Sequence, residues 1–246
     1  MSQSHVQKTV DEIRHLNEQQ ELPDHFASSR ASGLQYHLRH PDDFDPNRYF
    51  RKLNHLHMEP GYTLDYIYRC WGGDGCPVAY ARKEGETDTM LYARLWPDSL
   101  GGYDEEEIHS LVGDVLNHVI ADGTPEGFFQ LAVFVIMGGQ FYLAWHALYN
   151  DRRILCDESA LRDLINDLKR TNYGTEPSQD LVSAAFDLDL APRITMTDST
   201  CIVSLVTFSK WKGFARERYS CRRRFPHVLE CVEVHVELQY DCRIAF

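Results

Sequence analysis

A chain of 246 residues, 43% hydrophobic and 12% aromatic, can build a sizeable core without disulfide or metal staples. Its 37 acidic against 25 basic residues leave a net charge of −12, which repels polyanions and argues against nucleic acid or an anionic membrane as the main partner. The longest apolar run, Leu131–Met137, falls far short of the roughly 20 residues that a membrane-spanning helix needs, so no membrane partner is expected.

Residues Ser4–Gln20 read as a polar helix whose apolar positions, Val6, Val10, Ile13 and Leu16, form a thin stripe suited to a surface or a partner. Glu21–Phe44 carry mixed signals. Asp45-Pro46 looks like a helix start, with Asp45 as N-cap, and the helix is expected to run to about Met58. The period then changes to two. Leu64, Tyr66, Tyr68 and Cys70 alternate with polar neighbours, Gly72-Gly73-Asp74-Gly75 breaks the run, and Pro77–Lys83 resumes it, which is a hairpin signal. A third strand is expected over Thr89–Trp96.

Asp104 opens a strongly periodic segment with Ile108, Leu111, Val112, Val115, Leu116, Val119 and Ile120, expected as a helix that ends at Gly123. Phe128–Met137 and Gln140–Tyr149 flank Gly138-Gly139 and read as a second hairpin of central strands. Asn150–Arg153 reads as a polar turn. Asp157 caps a helix carrying Leu161, Leu164, Ile165 and Leu168, and Thr171–Pro192 is a connector with room for one helical turn. From Ile194 onward the chain reads as nearly all strand.

The predicted fold class is α+β, a predominantly antiparallel or mixed sheet of about seven to nine strands with helices packed on one face. Residues 1–44 read as a helical or irregular N-terminal appendage, and residues 45–246 as a single α+β domain. Seven cysteines, an odd number without a C-x-x-C, follow a polar N-terminus, and the simplest reading is reduced thiols in the cytoplasm.

Four constellations could carry chemistry. In the last strand, about Val228–Phe246, even positions from Val232 to Ile244 are apolar and expected to be core. Its odd face sets Glu233, His235 and Glu237 side by side, a potential ligand row, though a solvated sheet face is the commoner meaning. The second constellation is Lys210, Lys212, Arg216, Arg218, Arg222, Arg223 and Arg224, set among Trp211, Phe214, Tyr219 and Phe225. Cations with aromatic platforms suit single-stranded nucleic acid. Against that, pairing with the acidic strand that follows would neutralise the patch as a cross-strand charge ladder.

The third is the glycine loop at 72–75, which lacks the lysine and Ser/Thr of a phosphate loop and reads as a plain turn. The flanking Cys70 and Cys76 could approach each other there. The fourth is a polar cluster of Tyr142, His146, Asn150 and Asp151 near Cys156, where His146, Asn150 and Asp151 would be catalytic and Tyr142 would line the pocket. His55-x-His57, placed on a helix, would share no face. No metal site and no cofactor is expected. The composition and motifs favour an interaction module that binds another protein or itself. An enzyme built around His146 and nucleic-acid binding through Lys210–Arg224 are the alternatives.

Overall fold

The computed structural model describes residues 2–18, 36–71, 74–88, 90–91, 115–138, 152–170, 175–240 and 242. The helices are α1 (Gln3–Glu18), α2 (Arg48–Lys52), α3 (Pro125–Val133, continued by a π-helical turn over Phe134–Gly138), α4 (Glu158–Arg170) and α5 (Gln179–Phe186). The strands are β1 (Tyr36–Leu38), β2 (Leu56–Met58), β3 (Tyr62–Trp71), β4 (Asp74–Lys83), β5 (Val119–Ala121), β6 (Arg153–Leu155), β7 (Arg193–Met196), β8 (Thr200–Ser209), β9 (Gly213–Arg222) and β10 (Leu229–Leu238). The class is α+β and every strand pair is antiparallel. Among the described residues no helix is long and apolar enough to cross a membrane.

The described strands do not form one large sheet. They make a three-stranded sheet β1-β3-β4, a two-stranded ladder β2-β5, and a five-stranded sheet β10-β9-β8-β6 in which β7 also pairs with β8. The strands before α3 make the first two of these, and β6, which lies between α3 and α4 in the chain, joins β7 to β10 in the third. Nor do the helices share one face. Cys201, Val203 and Leu205 of β8, with Tyr219 and Cys221 of β9, join a core with α1 and α3. Val206, Phe208 and Phe214 point the other way, into a second core with Leu164 of α4 and Val182 of α5.

Helix α1 is integral to the first core. Val6, Val10, Ile13 and Leu16 are 0–4% exposed, and the polar residues beside them are buried too. Each is tied. Gln7 accepts from the Cys156 amide at 2.7 Å, and Asn17 donates to the Met137 carbonyl at 3.1 Å while accepting from the Tyr49 hydroxyl. A narrow stripe is buried here because its polar flanks found partners.

The α2 helix is much shorter than its spacing suggests. Asn47, rather than Asp45, is the pivot. Its side-chain oxygen accepts from Leu64 N at 3.1 Å and its amide donates to Leu64 O at 3.0 Å, so the loop is pinned to β3 in the manner of a strand partner. The chain then enters β2, whose register with β5 pairs Leu56 with Ala121 and Met58 with Val119. That ladder also ends the helical run at Val115–Leu116, so Val119 and Ile120 are strand residues. The earlier part of that periodic segment lies outside the described residues, as do most of Thr89–Trp96 and all of Gln140–Tyr149.

The β3–β4 hairpin forms as expected, in unbroken register from Tyr62–Lys83 to Trp71–Asp74. Cys70 lies opposite Gly75 and Cys76 opposite Arg69, so the two cysteines are not cross-strand partners. Phe128–Met137, expected as a strand, is helical. Thr124 caps α3 by accepting from Gly127 N at 3.0 Å, Pro125 takes the first position, and Glu126 sits in the first turn. Every residue from Gly127 to Phe134 is buried, so no polar face marked the helical period. Asp157 caps α4 as expected, accepting from Ala160 N at 2.9 Å. Arg153, expected in a turn, begins β6, and the connector holds α5 in place of a single turn.

Candidate interface at the sheet edge

Among the described residues, β10 is the outermost strand of the five-stranded sheet. On one face its acids meet the cations of β9. Arg218 donates to Glu233 at 2.5 Å, and Arg216 donates through Nε to Glu237 at 2.7 Å and through Nη2 to the Asp189 carbonyl at 2.6 Å. This is the charge ladder anticipated from the sequence. It accounts for Glu233 and Glu237 without a metal. Among the described residues no group of three His, Cys, Asp or Glu side chains is placed to hold one.

The ladder also breaks up the basic segment. Lys210, Trp211 and Lys212 lie in the turn before β9, where Lys212 N donates to Ser209 Oγ at 3.1 Å. Arg222, Arg223 and Arg224 lie at the far end of a ten-residue strand, about 30 Å away, and Arg223 donates to the Thr197 carbonyl at 2.6 Å. Between these ends Arg216 and Arg218 are paired with acids. Phe214 and Tyr219, taken as base-stacking platforms, are buried in opposite cores, while Trp211 and Phe225 keep an exposed edge.

The apolar positions of β10 overturn an expectation. Val232, Val234 and Val236 are 52%, 45% and 37% exposed. Leu229 at the start of β10 still packs against the first core beside Tyr219 and Cys221 of β9, and the three valines overhang beyond it. The register shifts at Val232 and Glu237 break the alternation: Val234 and Val236 share the face of Glu217 and Ala215, whereas Leu238 turns to the face of Phe214. Tyr240 and Cys242 enter the second core, and the Tyr240 hydroxyl donates to the Thr175 carbonyl at 2.5 Å. Register shifts between Cys231 and Glu233 and between Val236 and Leu238 leave Glu233–Val236 as the uninterrupted run.

Beside the valines lies a polar pocket of about 310 Å³. Thr207, Ser209, Ala215 and Glu217 line it from the sheet, with Arg152, Trp211 and Lys212 at its margin. Ala215 and Glu217 are the register partners of Val236 and Val234. Glu217, 1% exposed, accepts from the Tyr219 hydroxyl at 2.5 Å and from Arg152 at 3.2 Å. Burial, and then Glu217, push the Tyr219 hydroxyl far above its ordinary pKa, so it serves as a fixed donor. Arg152 also donates to the Tyr219 hydroxyl at 3.2 Å, and the three side chains act as a polar anchor in the sheet.

A second polar cluster was missed because three separate segments build it. His55 Nδ1 lies 2.6 Å from Asp122, and His5 Nε2 lies 2.6 Å from Glu126, beside the N-terminus of α3. Burial alone would raise the Asp122 carboxyl, but hydrogen bonds from Thr124 and His55 outweigh it and hold the group below the usual carboxylate range. Three buried thiols are poor nucleophiles. Burial raises Cys156 strongly, Cys201 to about 11 and Cys221 to about 12. A wider groove of about 520 Å³ runs along α1 and α2, with Lys8, Asp11, Glu12 and Lys52 among its mixed charges. Tyr142, His146, Asn150 and Asp151 lie outside the described residues. No protein-family model, no curated protein and no solved structure matches this chain.

Proposed function

We propose that this protein works as an interaction module, binding a protein chain by adding a strand to the exposed edge of β10. A single observation carries the reading: among the described residues β10 is an outermost ten-residue strand with its valines uncovered, beside a strand, β9, whose apolar side chains are buried. Main-chain N–H and C=O groups along such an edge supply affinity, and alternate side chains supply specificity. The charge ladder on one face and the valines on the other would set the register of the added strand. Five free thiols among the described cysteines support a reducing setting, and we assign the protein to the cytoplasm on that ground.

The test is affinity capture with the full chain against a Val232→Lys/Val234→Lys variant, followed by hydrogen exchange on the isolated complex. Both valines are exposed, so the variant is expected to fold, and circular dichroism checks this. The expected result is partners that the variant loses, with amides of residues 229–238 protected in the complex. Retention of every captured protein by the variant would sink the reading.

A further inference from the structure

We infer that the chain which adds to β10 is a second copy of this protein, paired antiparallel about Val234 so that two five-stranded sheets join into one. The inference rests on the interaction reading above and names its partner. The argument comes from symmetry and charge. Two identical edge strands related by a two-fold axis run antiparallel, and residues placed opposite one another must point to the same face. The axis therefore passes through a residue, and only a few centres are available.

Centring on Glu233 sets Glu233 against Glu233 of the second copy. Centring on His235 sets His235 against His235, and Glu233 against Glu237 on both sides. Like charges directly opposite are unfavourable. Centring on Val232 pairs only Leu229–His235 and leaves Val236 unopposed, and centring on Val236 pairs only Val234–Leu238, both shorter than the pairing about Val234. Centring on Val234 pairs the strand from Glu230 to Leu238 with no like charges opposed. Val234 meets Val234, Val232 meets Val236, and Glu233 meets His235 of the second copy. The last pair occurs twice, and an imidazole N–H can donate to the carboxylate in either charge state of the ring.

The pairing suits the structure of each copy. The run Glu233–Val236, free of register shifts, supplies the three central pairs, and Arg218 already holds the Glu233 carboxylate from below. Val234 and Val236 of the two copies would form an apolar strip about the axis, with Val232, the residue at the register shift, beside Val236 of the second copy; each copy now leaves the three 37–52% exposed. A single strand edge buries less than the roughly 1,200 Å² of a stable interface, so the dimer is expected to be a reversible one at micromolar concentrations. The Glu–His pairs keep the edge from accepting an arbitrary strand and oppose open-ended aggregation.

The experiment is oxidative cross-linking of the full chain in a Cys231→Ser background, since Cys231 is exposed. Val232→Cys, Val234→Cys and Val236→Cys are each made alone. In the inferred register only the 234 pair is opposed at disulfide distance, while each of the other two lies about 13 Å from its own counterpart. Val234→Cys is expected to give a covalent dimer and the other two to remain monomeric. Sedimentation over a concentration series is expected to show the unmodified chain dimerising. Val234→Lys, which opposes two ammonium groups, should raise the dissociation constant at least about tenfold.

Equal cross-linking at 232 or 236 would overturn the register. A chain that stays monomeric at every concentration and never cross-links would overturn self-association. In that case, a different protein captured by the wild type and lost by Val232→Lys/Val234→Lys leaves the interaction reading standing, whereas no such capture removes both.

Discussion

Helix α1 and strand β10 lie near opposite ends of the chain and treat their apolar side chains in opposite ways. Ile13 of α1 is fully buried, with Gln7 and Asn17 beside it committed to Cys156, Met137 and Tyr49. The valines of β10 are about half exposed, although Ala215, Glu217, Tyr219 and Cys221 of neighbouring β9 are buried. Apolar side chains do not bury themselves. They are buried when the next layer reaches them, and α1 earns that contact through its polar flanks. Past Leu229, the valines of β10 sit beyond the reach of the first core.

The contrast can be broken or sharpened by substitution. The largest effect is expected at the polar anchor that ends the covered part of the sheet. Arg152→Ala strips Glu217 of its cation and should cost roughly 3 kcal/mol in urea unfolding. Ile13→Ala empties a fully buried site and is expected to cost about 2–3 kcal/mol, whereas Val234→Ala should stay within about 0.5 kcal/mol. Equal losses at 13 and 234 would mean that β10 is covered after all.

Gly213→Ala is next. Its φ is +82°, and a Cβ there would collide with the Leu238 carbonyl and lie 2.5 Å from the Tyr240 amide nitrogen. A loss of about 2 kcal/mol is expected, with faster hydrogen exchange at residues 238–242. The smallest effect is at Asp122, whose folded pKa lies below the ordinary 3.8. Its contribution is present above that value and disappears as pH falls through the lower folded one. Asp122→Asn should therefore flatten the loss of stability below about pH 3.8 slightly, because the carboxylate is largely exposed and screened by solvent.

The elements that were legible in the sequence carry local signatures. The β3–β4 hairpin, α4 with its Asp157 cap, and the run of strands from β7 to β10 follow from period two, a turn or a cap. Helix α3 was misread because burial on all sides erases the helical period. The signal that could have identified it is Thr124-Pro125-Glu126, a cap, a first-turn proline and an early acid. The Arg218–Glu233 and Arg216–Glu237 pairs were legible because neighbouring strands of opposite charge have few other ways to pair. The exposure of Val232–Val236 was not, since alternation states which residues share a face and is silent on what lies above it. The same limit applies to His5, His55, Asp122 and Glu126, which meet only through tertiary packing.

The close pass of residues 238–240 over Gly213, followed by Tyr240 seated against Thr175, acts on β10 as a fastening at its far end. The near end is fastened by pairing of Leu229 with Cys221. A strand held at both ends cannot peel away to be exchanged between molecules. It offers an edge already set in the bound shape, so an incoming chain bears nearly all the loss of freedom when the two join.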